Sequence, residues 1–460
     1  SNGGGVSGGQ RSNGGGVSNS GRGDGDSEDA CGHHARVDPG GSVGALSSAC
    51  CSHTARAMSA CSAVLLPLRS AMLILASSHE FRQNALQPRV DTPRGRELHA
   101  PAQLSELQIE GFLGEGSTSK VLLARLTRNP AAGEFALKCI PKEPLLAARR
   151  AMQVVRERRA LRACGAHPGL PRILGAYQDS LQLFLLLEAV LGLELFYLLR
   201  EAHRFDAPTA TFYAAIAVST IAHMHAHSWV HRDIKPENAL VDSAGYLVLV
   251  DFGSCVRVKH GTERAWTICG TPEYTAPEVL SCHGYGCEVD YWALGVLLFE
   301  MLAGFSPFCD DKPINIYKRV LEADYAFPNH FSEPCRDAVS QLLNTNPSQR
   351  LGAAQRGVDI ASHRLFDGLD WTALYARELP SPVVPVINPA DPIDLASIED
   401  ILDLQSPRAA RQPSSQSDPF TAYFTDFEHV VSSPVVASPP ASPVATIRQI
   451  TPRDGAHEVP

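Results

Sequence analysis

Long apolar runs are missing from this chain. A membrane-spanning helix needs about 20 consecutive apolar residues. The nearest approach, Ala63–Ala76, is interrupted by Pro67, Arg69 and Ser70, so no membrane span is expected. A cationic excess is missing as well: Lys and Arg number 40 against 49 Asp and Glu, a net charge of −9. A nucleic-acid grip needs a basic face, and nucleic acid is not expected as a partner. Paired metal ligands are also absent. The 12 cysteines include no Cys-x-x-Cys, the short spacing that marks zinc sites. Cys31, Cys50, Cys51 and Cys61 lie near His33, His34 and His53 but are not read as zinc ligands. The other eight cysteines are scattered, as expected of reduced thiols in a cytoplasmic protein, with the nucleus as a second location. An initiator methionine is lacking too. The chain starts at Ser1 and its first methionine is Met58, which raises the expectation of a fragment or an over-extended gene reading.

What is present is unevenly spread. Residues 1–29 are Gly/Ser/Asn-rich, and Ser-Asn-Gly-Gly-Gly-Val-Ser occurs at Ser1 and again at Ser12. Such sequence cannot offset its ordering entropy by burial. Cys31–His79 is Ala/Ser-rich and nearly free of acids, which loosely suggests a targeting peptide; an unstructured leader is the preferred reading. Residues 1–103 are therefore expected to be a disordered leader, with order beginning near Leu104. Strand-like runs follow at Ile109–Leu113, Lys120–Leu126, Glu134–Ile140 and Leu183–Glu188, with a basic helical stretch over Leu146–Cys164. Beyond Gly192 the pattern is mainly helical, with long candidates at Pro208–His227 and Val289–Ala303. This predicts an α+β chain: a small sheet-rich lobe, then a larger helical one. Past Trp371 the sequence becomes Pro-rich. Residues 431–460 carry Ser433, Ser438, Ser442 and Thr451, each before a proline, which is tail composition.

Three constellations carry chemistry. Gly114-Glu115-Gly116-Ser117-Thr118-Ser119, then Val121, falls between two strand candidates. Glycines let such a turn lie close over phosphates, with backbone N–H groups facing the anion, although Ser119 stands at the third glycine position. Lys138 ends an apolar strand and Glu157 lies 19 residues later on the basic helix. Each alone reads as a solvated charge; together they make a Lys–Glu pair able to fix phosphate oxygens. The strongest signal is His231-Arg232-Asp233-Ile234-Lys235-Pro236-Glu237-Asn238, which sets a base, a cation and a metal ligand in one loop. Asp251-Phe252-Gly253 and Ala276-Pro277-Glu278 follow in order. A carboxylate at a strand end suits Mg²⁺, which takes few protein ligands. The ordered set is far more specific than any member.

These motifs resemble the eukaryotic protein kinase family over about residues 104–366. Trp266–Tyr274, Val289–Val296, Arg350-Leu351-Gly352, Phe366 and Asp370-Trp371 are similar to the AGC group, which includes the cyclic-nucleotide-dependent kinases. The resemblance implies a bilobal fold, with an N-lobe over about 104–188, a C-lobe over about 193–366 and a tail over 367–430. It implies a Ser/Thr kinase using ATP and Mg²⁺. Asp233 would accept the substrate proton, Asn238 and Asp251 would hold Mg²⁺, and Lys138, braced by Glu157, would hold the α/β-phosphates. Lys235 would steady the γ-phosphate and Thr271 would bridge Asp233 and Lys235. Gly114, Glu115, Gly116, Ser117 and Ser119 would cover the phosphates. Val121 and Ala136 would sandwich the adenine, Glu188 and Val190 would form its hinge, and Leu187 would be the gatekeeper.

By the same resemblance, Glu194, Glu237 and Glu300 would read arginines upstream of the target hydroxyl through charge-assisted pairs; Glu300 also reads as a structurally paired helix acid. Glu194 and Glu237 would also border the nucleotide site. Ile268 and Pro272 would line the pocket for the following residue, where Thr275 replaces a larger apolar side chain. Thr267 would be the activation phosphosite, with Arg232 as its cationic partner. Phe424 and Phe427 would form a hydrophobic motif docking beside the Glu157 helix, with Glu428 a built-in negative charge. Cys269 reads as an inert buried thiol, and His223 and His227 as surface histidines at a helix end. Expected partners are proteins with upstream arginine, an inhibitory cyclic-nucleotide-binding regulatory subunit and an upstream activating kinase. The cyclic-AMP-dependent type leads. Tyr246, Val250 and Asp290-Tyr291-Trp292 lean toward the cyclic-GMP type, and Pro313–Tyr317 toward cyclic AMP. A pseudokinase scaffold, resting on Ser119 alone, is the remaining alternative.

Overall fold

Period-two alternation along the first strands decides what the small lobe buries. The computed structural model describes residues 100–385 and 421–430, apart from 102, 117, 130–132, 166, 260, 355 and 356. The leader up to residue 99, the four early cysteines, Ser117, the tail over 386–420 and the extension 431–460 therefore lie outside the described residues. Strands β1 (Leu107–Gly116), β2 (Ser119–Leu126) and β3 (Glu134–Pro141) form a meander. Helix α1 (Lys142–Ala147) and helix α2 (Ala151–Cys164) come next, then β4 (Ile173–Gln178) and β5 (Gln182–Glu188). Leu122, Ala124, Phe135, Leu137, Phe184 and Leu186 point to one face and close a core of their own. Val121, Lys138, Ala136 and Leu187 fall on the opposite face, because Val121 pairs with Lys138 and Ala136 with Leu187.

Two expectations are corrected here. The basic stretch is not one helix over Leu146–Cys164. It breaks at Arg149, whose φ of 56° is left-handed, and α2 begins anew at Ala151. β4 was not expected at all: its Gly175 and its short length mask a strand that is buried almost throughout. At the start of the described residues, the Tyr177 hydroxyl donates to the Pro101 carbonyl at 2.6 Å.

The larger lobe follows β6 (Gly192–Glu194) and α3 (Leu195–Ala202). Helix α4 (Ala207–Ala226) starts where Asp206 accepts the Thr209 N–H at 2.9 Å, an N-cap that satisfies an orphan donor. It is apolar nearly all round and buried to match. Short strands β7 (Trp229–Val230), β8 (Ala239–Asp242), β9 (Leu247–Leu249) and β10 (Val256–Arg257) frame the loop between them. Helix α5 (Glu288–Ala303) crosses the middle of the lobe, buried from Val289 to Leu302. Gly295 allows close approach there, since a Cβ would meet the Leu342 Cβ at 2.8 Å. Helix α6 (Pro313–Glu322) follows, and helix α7 (Glu333–Leu342) packs on α5. Among the described residues, no helix is long and apolar enough to cross a membrane.

The tail returns to the small lobe. Phe424 and Phe427 are buried, and β11 (His429–Val430) adds antiparallel to β4, so the sheet order is β1-β2-β3-β5-β4-β11. Arg158 of α2 donates to the carbonyls of Asp426 and Phe427, and its guanidinium lies 5.3 Å from the Phe427 ring centroid. Gln178 of β4 donates to the Phe424 carbonyl at 3.2 Å.

A buried Phe truncated to Ala loses roughly 3–5 kcal/mol where the site is rigid. The tail can undock and regain chain entropy, so the net effect is smaller. Phe424→Ala with Phe427→Ala is expected to lower the melting temperature by roughly 4–10 °C. Differential scanning fluorimetry checks this, and an unchanged midpoint would count against a docked tail.

Candidate active site

The loop between β7 and β8 carries the densest chemistry, and one buried carboxylate holds it. Asp290, in the first turn of α5, accepts the backbone N–H of His231 and of Arg232, each at 2.8 Å. His225 of α4 donates its Nε2–H to the same carboxylate at 2.7 Å, and its Nδ1 meets the Tyr291 hydroxyl at 2.9 Å. Burial opposes a charge on Asp290, yet these donors hold its carboxyl below the usual range. Arg232 then sits at φ 70°, and its guanidinium donates to the Ser254 carbonyl at 2.6 Å, Thr267 Oγ1 at 2.6 Å and the Tyr285 hydroxyl at 2.9 Å. Thr267 is exposed, and its hydroxyl faces Arg232.

Asp233, Lys235, Asn238 and Thr271 converge. Thr271 Oγ1 donates to Asp233 Oδ1 at 3.3 Å and accepts from Lys235 Nζ at 2.9 Å. Lys235 Nζ lies 3.2 Å from Asp233 Oδ2. Asn238 donates both to the Asp233 carbonyl and to Oδ2, each at 2.8 Å. Its amide nitrogen is thereby committed, so its amide oxygen is the atom available for a cation. Gly270 (φ 97°) brings the next segment over the loop, where a Cβ would meet the Arg232 carbonyl at 2.9 Å.

Lys138 reaches across the cleft from β3. Its Nζ lies 2.6 Å from Glu157 Oε1 on α2 and 3.5 Å from Asp251 Oδ1. Burial disfavours the ammonium, but the two carboxylates raise its pKa and keep it charged. Asp251 adopts φ 73°, a left-handed conformation that aims its carboxylate at Lys138, with the Gly253 N–H donating to it at 3.1 Å. A cation, a carboxylate and an amide oxygen on one cleft suit a polyphosphate with a divalent metal. Gly114, Glu115 and Gly116 end β1, and Gly116 pairs with Ser119 at the start of β2. No heavy atom lies within 4 Å of a Cβ built on Gly114, so this hairpin leaves room below it. Val121, Ala136 and Leu187 line the same face, and Val190 lies between β5 and β6. The Glu188 carboxylate is not available to a ligand, because Arg172 holds it through Nε at 2.9 Å and Nη2 at 3.3 Å. Glu188 can contribute only its backbone.

The acids form a patch. Burial, then the neighbouring Glu237, pushes Glu194 up to about 7. Burial also raises Glu300, which accepts a short hydrogen bond from the Tyr274 hydroxyl and feels both Glu237 and Glu273. Glu300 is therefore structurally paired and lies within the field of the other acids. Ile268 is exposed and Pro272 half-buried along the segment above.

Sequence reasoning missed several residues. In the sequence Asp290 reads only as part of a helix motif, and Glu273, Arg172 and Tyr285 carry no signal on their own. Arg350 makes a buried two-point pair with Glu278, at 2.7 and 2.9 Å, tying the end of the segment to the lobe. Of the two histidines expected at the surface, His227 is exposed, but His223 is only partly so: its Nε2 meets the Cys164 carbonyl at 2.6 Å, and burial lowers it to about 4. His225 is fully engaged with Asp290. Among the described residues no cluster of three or more His, Cys, Asp or Glu could hold a metal. Cys269 is half-buried, and burial raises its thiol pKa.

Residues 107–360 match the family described as Protein kinase domain. The chain is 39% identical to human cAMP-dependent protein kinase catalytic subunit PRKX over 285 residues, covering 62% of this chain and 78% of that protein. It is 35% identical to the cAMP-dependent protein kinase catalytic subunit of Dictyostelium discoideum over 332 residues, covering 72% of this chain and only half of that protein. With human cGMP-dependent protein kinase 2 it shares 36% identity over 280 residues, covering 60% of this chain and 36% of that protein.

The Glu194 value sets a pH dependence. With a pKa of about 7 the carboxylate is ionised above that pH and neutral below it. On the expectation that Glu194 pairs with arginine, an arginine-containing peptide should bind roughly tenfold more weakly at pH 6 than at pH 8. Glu194→Gln should bind weakly at both. Calorimetric titration checks this, and a wild-type affinity flat across that range would exclude Glu194 as the titrating group.

Proposed function

Since the chain belongs to the protein kinase domain family, we propose that it is a serine/threonine kinase of the cyclic-AMP-dependent type, acting on proteins with arginine upstream of the target hydroxyl. The observation that carries the reading is the Thr271 hydroxyl joining Asp233 to Lys235, with Asn238 bound to the same Asp233. When bound, ATP supplies the γ-phosphoryl group, and Mg²⁺, held by Asn238 and Asp251, screens the phosphate charge. Asp233 accepts the proton of the substrate hydroxyl as that oxygen becomes a nucleophile. Lys235 would steady the γ-phosphate and Lys138 the α/β-phosphates, fixed positive charges that favour the transition state without reorganisation. Thr271 and Asn238 keep Asp233 aimed, a matter of orientation. Glu194, Glu237 and Glu300, joined by Glu273, supply the anionic surface for arginine side chains. Ser119 does not favour a scaffold, because every charged group the chemistry needs is in place.

An inhibitory regulatory subunit releasing the enzyme on cyclic-nucleotide binding is part of this proposal. It is supported by the relatives' description as catalytic subunits of cAMP-dependent kinases. The cyclic-GMP type stands second, supported by a similar identity to the cyclic-GMP kinase.

The test is phosphate transfer to a peptide with two arginines upstream of a serine. Asp233→Asn is expected to reduce turnover by roughly 10²–10⁴-fold, and Arg→Ala in the peptide to raise KM. ATP binding without transfer by the wild-type protein would support a scaffold instead. Thr267→Ala should also lower activity greatly, since it removes the hydroxyl that faces Arg232 and with it the acceptor for an activating phosphate. Unchanged turnover of that variant would remove Thr267 from the activation mechanism.

A further inference from the structure

Thr275 stands where a larger apolar side chain is expected, and the chemistry set out above gives it no part. It is buried, and a buried hydroxyl needs a partner. Thr275 Oγ1 donates to the Thr271 carbonyl at 2.9 Å. The Tyr274 N–H donates to the same oxygen at 3.0 Å. A carbonyl has two lone pairs, and here each has its own donor.

That carbonyl carries unusual weight because residue 272 is proline. The peptide unit joining Thr271 to Pro272 has no N–H, so its oxygen is the only polar handle by which the fold can set its plane. On the other side lies Gly270, at φ 97°, where the lack of a Cβ leaves the backbone free to turn. Thr271 itself is extended, with φ −81° and ψ 133°. Its branched side chain has few rotamers, so Oγ1 goes where the backbone sends it. Oγ1 is the atom that joins Asp233, at 3.3 Å, to Lys235, at 2.9 Å. Packing gives the turn little help from below, because a hollow lined by Ile234, Cys269, Thr275, Val279, Val289 and Ala293 lies between it and α5. A larger apolar residue at 275 would fill space but supply no hydrogen bond. Resting on the kinase reading above, we propose that Thr275 is a positioning residue for phosphoryl transfer: its hydroxyl fixes the Thr271 carbonyl, and through it the Oγ1 that aims Asp233. The effect is one of orientation, so it belongs to turnover and not to substrate affinity.

Threonine hydroxyls bond the carbonyl four residues back as a local habit, so the test must separate shape from hydrogen bonding. Thr275→Val keeps the volume and removes the hydroxyl, whereas Thr275→Ser keeps the hydroxyl. Melting curves establish that both variants are folded. With the two-arginine peptide, Thr275→Val is expected to lower kcat by roughly 3–10-fold while KM for ATP and peptide stays within about twofold. Thr275→Ser should restore most of the turnover. Amide hydrogen exchange over residues 271–276 is followed without nucleotide or peptide, so it needs no activity. The Tyr274 amide should exchange roughly 3–10-fold faster in Thr275→Val and slow again in Thr275→Ser. Unchanged turnover or unchanged exchange in Thr275→Val would overturn the proposal, as would a loss that Thr275→Ser does not restore. A higher peptide KM at unchanged kcat would also overturn it, by placing Thr275 in the pocket for the residue after the target. Absence of transfer by the wild-type protein would defeat the kinase reading instead, and the exchange measurement would still decide whether Thr275 holds the turn.

Discussion

A single buried carboxylate sets the geometry on which the rest of the site depends. Asp290 receives two backbone N–H groups from the loop at His231 and Arg232 and a third proton from His225. Those bonds fix where the loop turns, and the turn fixes Asp233, Lys235 and Asn238. They also fix the direction of Arg232, and through it the neighbourhood of Thr267. Burying a charge is favourable only when its partners are in place, and losing one member of such a set costs about 3–5 kcal/mol. The rigidity of the loop is therefore bought deep in α5, away from the cleft.

The small lobe solves a different problem, because its key cation must stay charged in a poorly solvated place. Lys138 achieves this with two carboxylates from separate elements, Glu157 on α2 and Asp251 after β9. The position of α2 is thus a condition of the chemistry. That helix has three kinds of support: apolar burial of Val154, Val155 and Leu161, the Lys138 pair itself, and the tail held by Arg158. Lys142, from the preceding helix, adds its ammonium 5.7 Å from the Phe424 ring centroid. Tail and cleft are therefore coupled through one helix.

Much of this was legible in the sequence because it lies in contiguous motifs. Asp233, Lys235 and Asn238 sit within six residues, and local spacing brings them together whatever surrounds them. Lys138 and Glu157 were found because strand and helix signals placed them on facing elements. Residues joined only by tertiary contact were illegible: Asp290 meets His225 and His231 across 65 and 59 positions, and Arg350 meets Glu278 across 72. His223 misled because α4 is apolar on every side, so periodicity could not tell its buried face from its exposed one. The break at Arg149 was hidden for a similar reason: an arginine in a basic, helix-favouring run carries no signal of a positive φ. Strand β4 was passed over because Gly175 weakens the β pattern while cross-strand pairing with β5 supplies what propensity lacks.

The short pairing of His429 and Val430 with β4 has a consequence beyond docking. Every open sheet ends in a strand whose outward N–H and C=O groups can recruit another chain. Here β4 is that strand, buried and apolar along most of its length, and β11 covers part of its rim. His429 and Val430 thus shield part of that edge from edge-to-edge association. A proteolytic cut between Phe427 and His429 would leave the catalytic cleft chemically complete and yet turn the small lobe into a template for self-assembly.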